Sequence, residues 1–241
     1  ITDFMQSAII DIGDELQLCV EVGGNPDHPP LLLIMGLGSQ LVFWPDSFVK
    51  GLIDAGFFVI RFDNRDIGLS SKIARPFPRF PINNVKMMLR MQVGLTNRHF
   101  PVAYNLFDMV EDTRRLLDKL ALNNVYVVGA SMGGMIAQIL AAKYPKRVST
   151  LGLMFTSNNK PFLPPTKPKQ LQTLLSHPKT TQIDDVVAYG VWCMQRIGSP
   201  NHVDEQEVER LIRLRFERSY HPRGALQQLQ AILATGSIVK F

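Results

Sequence analysis

Cysteine is scarce in this chain, with only Cys19 and Cys193 in 241 residues. Two such residues build no disulfide framework, and their spacing fits neither a metal site nor a redox pair. Each sits in an apolar segment and reads as a small core or half-buried residue. Long hydrophobic runs are missing too. None approaches the ~20 residues of a membrane-spanning helix, and the N-terminal stretch has no charged flank followed by an apolar signal core. The expected location is the cytoplasm. A basic stripe is also lacking: Lys and Arg exceed Asp and Glu by 26 to 21, a net charge of +5, but the two signs are interspersed. Nucleic acid is therefore not an expected partner.

The chain does have enough apolar content, 46% of residues, to bury a full core. Alternating patterns predict strands at 8–12 and 16–22. The continuous apolar run at 31–35 has the signature of a strand covered on both faces, as in a parallel sheet, and further strands are expected at 57–62 and 148–155. Helical spacing predicts helices at 45–55 and 108–120. Strands that alternate with helices imply an α/β fold with a mostly parallel sheet and helices on both faces. That order ends at a Pro- and Lys-rich connector, 158–169, beyond which 170–234 is helical throughout, as in a lid. The expected division is a core over 1–157, a helical lid over 158–235 and a start of return to the core at 236–241. An insertion at 72–104 carries Met87, Met88 and Met91 beside Leu89 and Leu95. That stripe could line an apolar entrance, but packing on the body is the simpler reading.

The stretch 125–134, VYVVGASMGG, carries the chemistry. A buried strand runs into G-x-S-x-G and opens a helix, so Ser131 stands at the tip of a sharp strand-to-helix turn, with Gly129 and Gly133 at the two positions that must be nearly side-chain-free. Gly134 lets the helix lie close to the sheet. The helix N-terminus supplies free N–H groups and a positive dipole end beside the hydroxyl. A serine that attacks a carbonyl needs a second N–H donor from a neighbouring loop, and the strand at 31–35 ends in Met35-Gly36-Leu37-Gly38, where Gly36 and Gly38 permit a tight turn.

These two glycine sites, followed by FDNRDIGLSS at 62–71, resemble the α/β-hydrolase superfamily over nearly the whole chain. The resemblance is greatest to the small serine esterases grouped with aclacinomycin methylesterase and the cofactor-free haloperoxidases. It implies a serine hydrolase that cleaves a small, apolar carboxylic ester through an acyl-enzyme on Ser131, with no metal and no organic cofactor. It also implies an oxyanion hole made by the backbone N–H groups of Leu37 and Met132. Two positions depart from the family pattern. Met35 stands where the loop usually begins with His, and Asp66 occupies the first Gly slot of the Asp-Arg-Gly-x-Gly-x-Ser turn. That turn is expected to be structural, with Asp63 or Asp66 pairing Arg65.

The base and its orienting carboxylate are the missing parts. In this fold they follow the serine in the order acid, then His. The slot after the 148–155 strand reads Thr156-Ser157-Asn158-Asn159 and holds no carboxylate. His28, His99, His177, His202 and His221 fall in turns, the insertion or breaks between lid helices. The expectation is that both groups, with two or more further strands, lie beyond residue 241. A sheet cut after the 148–155 strand would have an open edge and favour a homo-oligomer.

Other readings of the same residues stay open. Ser131 disfavours dehalogenase and epoxide hydrolase chemistry, which needs Asp at that position. Asp204, Glu205, Glu207 and Glu209 keep a proline iminopeptidase-like peptidase in play, although an acid cluster at a helix N-terminus has an ordinary explanation. A non-catalytic or incomplete hydrolase-fold binding protein is the alternative outside enzymes.

Overall fold

The computed structural model describes residues 4–74, 82–199, 201 and 203–239. It opens with β1 (Gln6–Gly13), β2 (Leu16–Gly23) and β3 (Pro30–Ile34), then α1 (Asp46–Asp54), β4 (Phe58–Phe62), α2 (Asn84–Gln92) and α3 (Leu106–Lys119). Next come β5 (Val125–Ala130), α4 (Met132–Lys143) and β6 (Val148–Met154), followed by four helices, α5 (Pro168–Leu175), α6 (Ile183–Ile197), α7 (Glu205–Arg218) and α8 (Pro222–Thr235). The six strands lie in the order β1-β2-β4-β3-β5-β6. β1, β2 and β4 pair antiparallel, whereas β4, β3, β5 and β6 pair parallel.

The apolar run of β3 is continuous because both of its faces are covered. Side chains alternate along a strand, so Leu32, Ile34, Ile60, Phe62, Val125 and Val127 point to one face, where they pack with Leu106, Met109, Val110, Ile136, Ala137 and Leu140 of α3 and α4. Leu31, Leu33, Met35 and Val59 point to the other and meet Trp44 and Val49 of the α1 region. The expected strands and the helices at 45–55 and 108–120 all form, within a few residues. α3 begins with a capping box, in which the Asn105 side chain accepts from the N–H groups of Phe107 and Asp108 while Asp108 reaches back to the Asn105 N–H.

The chain divides into two compact units, Ile1–Leu163 with His221–Phe241, and Pro164–Tyr220. α8 thus belongs with the first unit, although its helical patterning had placed it in the lid at 158–235. The cause is its sequence-distant partners. Ala231 enters the main core, Leu229, Leu233 and Ala234 pack on Met87 of α2, the Thr235 hydroxyl accepts from Leu106 N–H at 2.9 Å and Asn97 Nδ2 donates to Leu233 O at 2.9 Å. The insertion's methionines serve packing: Met87 is fully buried, with Met88 and Met91 beside it, whereas Leu89 and Leu95 are exposed. Part of the insertion, 75–81, lies outside the described residues. The second unit is built on α6 and α7 around Val186, Val187 and Ile212. Gly190 lets the two helices meet, because a Cβ there would overlap Ile212. Among the described residues no helix is long and apolar enough to cross a membrane.

Candidate active site

Ser131 joins β5 to α4 with φ 52° and ψ −118°, a left-handed backbone that a side chain adopts only under strain. The surroundings enforce it. Ser131 N–H donates to Met154 O of β6 at 3.0 Å, its carbonyl accepts from Gly134 and Met135 N–H at 3.0 and 3.2 Å, and the Thr156 hydroxyl donates to the same carbonyl at 2.6 Å. The glycines make the turn sterically feasible. A Cβ on Gly129 would overlap the backbone of Gly133 and Gly134, one on Gly133 would overlap the Ile34 carbonyl, and one on Gly134 would stand 2.7 Å from Thr156. α4 starts at Met132, so its unbonded first-turn N–H groups begin right after the serine.

The loop after β3 comes up to this turn. A Cβ on Gly36 would lie 3.1 Å from the Ser131 Cβ and 3.6 Å from its Oγ. Ser39 N–H closes the loop onto Gly36 O at 3.2 Å, and Gly38 has φ +67°, the conformation that a turn of this kind requires of its third residue. Among the described residues, the N–H groups of Leu37 and Met132 donate no hydrogen bond, and Ser131 Oγ makes none. The structure therefore brings together Ser131, Gly36, Gly38, Gly129, Gly133, Leu37 and Met132 at the ends of β3 and β5.

The turn at 63–71 braces the loop from behind. The buried Asp63 carboxylate accepts from Leu41 N–H at 2.8 Å and Leu69 N–H at 2.9 Å, and Asn64 Nδ2 donates to Met35 O at 3.0 Å. Arg65 pairs with neither Asp63 nor Asp66, contrary to the expectation. Its Nε and Nη2 donate to the two Asp112 carboxylate oxygens on α3, each at 2.5 Å, and its guanidinium lies 5.0 Å from the centre of the Tyr104 ring. Burial pushes the Asp112 carboxyl up while the adjacent guanidinium opposes that shift. Asp66 has φ 71°, so the family's glycine slot is a true left-handed position here. Its carboxylate compensates by accepting from Ile73 N–H at 2.6 Å. Its second oxygen, the Tyr104 hydroxyl and His221 Nε2 are all buried without a hydrogen-bond partner among the described residues, and His221 Nε2 stands 4.0 Å from Asp66 Oδ1. Burial, with Asp66 nearby, holds the Tyr104 phenol far above its ordinary value.

The remaining candidates are placed as follows. His28, His99 and His177 are exposed, His202 lies outside the described residues, and His221 is the N-cap of α8. The lid acids have local partners: Asp204 caps α7, Glu205 accepts from Gln195, Glu207 pairs with Arg210 and Glu209 with Arg213. Among the described residues no group of three or more His, Cys, Asp or Glu side chains could hold a metal ion. Two contributors were not foreseen from sequence. Thr156 holds the serine carbonyl from the slot 156–159, which has no carboxylate. Gln228, fully buried on α8, accepts from Gly38 N–H at 2.8 Å through Oε1 and donates to Arg65 O at 2.9 Å through Nε2.

A parallel sheet carrying a strained serine at a strand-to-helix turn, beside a glycine loop, defines a class. The chain belongs to the alpha/beta hydrolase fold family, whose sequence profile matches residues 29–187. Among characterised relatives it is similar to rhodomycin D methylesterase DnrP of Streptomyces peucetius, 36% identical over 141 residues that cover 58% of this chain and 39% of that protein. It is also similar to a poly(3-hydroxyalkanoate) depolymerase of Ectopseudomonas oleovorans, at 32% identity over 68% of this chain and 47% of the relative. The matches thus span less than half the length of either relative. Among solved structures, the 2-hydroxy-6-oxo-6-phenylhexa-2,4-dienoate hydrolase of Rhodococcus sp. strain RHA1 matches with a TM-score of 0.67 at 18% identity, covering 98% of this chain and 73% of that one. At that identity the likeness concerns the fold alone.

Proposed function

We propose that this chain carries the nucleophile and oxyanion hole of a serine hydrolase that cleaves a small, apolar carboxylic ester. The observation that carries the reading is Ser131 itself, held at φ 52° between β5 and α4, next to two backbone N–H groups with no described partner. In this reading Ser131 Oγ attacks the ester carbonyl carbon, and the carbonyl oxygen gains negative charge between the N–H groups of Leu37 and Met132. The tetrahedral intermediate collapses to an acyl-enzyme as the alcohol leaves. Water then adds to the acyl carbon and releases the acid. A serine hydroxyl needs a base to take its proton in the first step and return it to the leaving alcohol. Among the described residues no histidine hydrogen-bonds to Ser131 Oγ, and the reading requires a base and a carboxylate in addition to the residues named here. The two ester-cleaving relatives support the choice of an ester.

A fluorophosphonate probe on the full-length protein tests it. Ser131 is expected to become labelled, and Ser131→Ala to abolish labelling and lower ester turnover by a factor on the order of 10⁶. A folded protein that does not label would instead support a second reading, a binding protein on a hydrolase scaffold. The lone Ser131 hydroxyl is the observation that favours that alternative.

A further inference from the structure

We infer that Gln228 of α8 is a positioning residue for the oxyanion hole, holding the loop that presents Leu37 N–H; this rests on the esterase reading above. The loop is a tight turn over 36–39, closed by Ser39 N–H on Gly36 O. Gly36 C=O and Leu37 N–H belong to one peptide plane and point in opposite directions, so fixing the carbonyl inside the turn directs the Leu37 N–H outward. The next plane, between Leu37 and Gly38, is the weak point of such a turn. Flipping this central peptide interconverts the two common turn types, which differ in the sign of φ at the third residue. Gly38 has φ +67°, and its N–H is the group that Gln228 Oε1 accepts from at 2.8 Å.

The amide suits this role, with a backbone partner at each end. Gln228 is fully buried, and its Nε2 is spent on Arg65 O at 2.9 Å. Arg65 is itself fixed to Asp112 at 2.5 Å, so the acceptor aimed at Gly38 is anchored to a rigid pair. The loop is also held by Asn64 on Met35 O at its start and by Asp63 on Leu41 N–H at its end. At the peptide next to the donor, Ser39 Oγ donates to Leu37 O at 3.4 Å, and Gln228 Oε1 holds the opposite end, Gly38 N–H, at the shorter distance of 2.8 Å. Ala225, one turn earlier on α8, stands beneath the loop, where a Gly38 Cβ would meet it at 3.2 Å. Preorganisation of such donors is the source of their catalytic effect, and small misplacement near a reacting centre reduces rates by up to ~100-fold.

The test compares Gln228→Met and Gln228→Glu with the unaltered full-length protein, using p-nitrophenyl esters, fluorophosphonate labelling and thermal unfolding. Gln228→Met removes both hydrogen bonds at similar volume. It is expected to leave KM within about twofold while kcat and the labelling rate per folded molecule fall by ~10- to 100-fold. Gln228→Glu adds a pH signature. Its protonated carboxyl accepts from Gly38 N–H and donates to Arg65 O as the amide does, whereas the ionised form has no proton for Arg65 O. Its kcat relative to the unaltered protein is therefore expected to be near one at low pH and to decline as pH rises. A folded Gln228→Met with unchanged kcat overturns the inference. If Gln228→Met does not fold, the pH dependence of Gln228→Glu decides, and a ratio independent of pH rejects the role. If the unaltered protein neither labels nor turns over, the esterase reading fails and the inference falls with it.

Discussion

Ser131 combines two demands that conflict: the proposed nucleophile needs a side chain, and the turn that presents it prefers none. Strain of this kind amounts to about 1–3 kcal/mol. Replacing the serine by glycine or by alanine removes the hydroxyl equally, but only glycine relieves φ 52°. Ser131→Gly is therefore expected to be more stable than Ser131→Ala by about that amount, read as a higher midpoint in urea. Equal midpoints would mean that the backbone is at rest. Gly133 makes the opposite case. A methyl there must displace the Ile34 carbonyl of β3, so Gly133→Ala is expected to destabilise by about 1–3 kcal/mol, in line with overpacked cores. These positions were legible in the sequence because the constraint is local: Gly129, Ser131 and Gly133 lie within five residues of one another. Gln228 was not, since its partners Gly38 and Arg65 are 190 and 163 residues away and nothing on α8 marks a buried amide.

α8 shows why a helix can be read correctly and still be assigned to the wrong body. Its periodicity is that of any amphipathic helix, whereas its allegiance depends on Met87, Asn97 and Leu106, which one-dimensional pattern does not pair with it. Its N-cap also couples it to pH. Burial holds the His221 imidazole below its ordinary value, with Asp66 opposing and Lys72 and Arg223 reinforcing the shift. A histidine whose folded value is depressed binds its proton more readily when unfolded. Stability is then lost as pH falls through the ordinary histidine range of about 6.5. The thermal midpoint is expected to drop between pH 8 and 5.5, and His221→Gln to lessen that drop; a difference of the opposite sign would show that the Asp66 attraction dominates. α3 is tied to the turn after β4 by the Arg65–Asp112 pair. Asp112→Asn would leave a buried guanidinium without its counter-charge, a change expected to cost about 3–5 kcal/mol in equilibrium unfolding.

At the scale of the whole molecule, the sheet was the most legible feature, because its strands alternate with helices and β3, covered on both faces, reads as an uninterrupted apolar run. The division into two units was less so, since helices α5 to α8 look alike until their buried faces are matched. The units differ in the size of their cores. The first buries two faces of a sheet, whereas the second rests on Val186, Val187 and Ile212 with a few half-buried neighbours. Local stability follows buried apolar contact. Amide hydrogen exchange is expected to show faster opening throughout 164–220 than in β3, β4 and β5, and uniform protection across both would contradict that ranking.

The 190-residue separation between Gly38 and Gln228 also sets an order of events at birth. A ribosome adding about 5–20 residues per second takes roughly 10 to 40 s to travel from one to the other. During that interval the loop waits on the nascent chain, joined about halfway by the serine turn, while the glutamine that holds Gly38 has yet to be made. Most of the sheet can form early in synthesis, and the proposed oxyanion hole is finished only when α8 arrives.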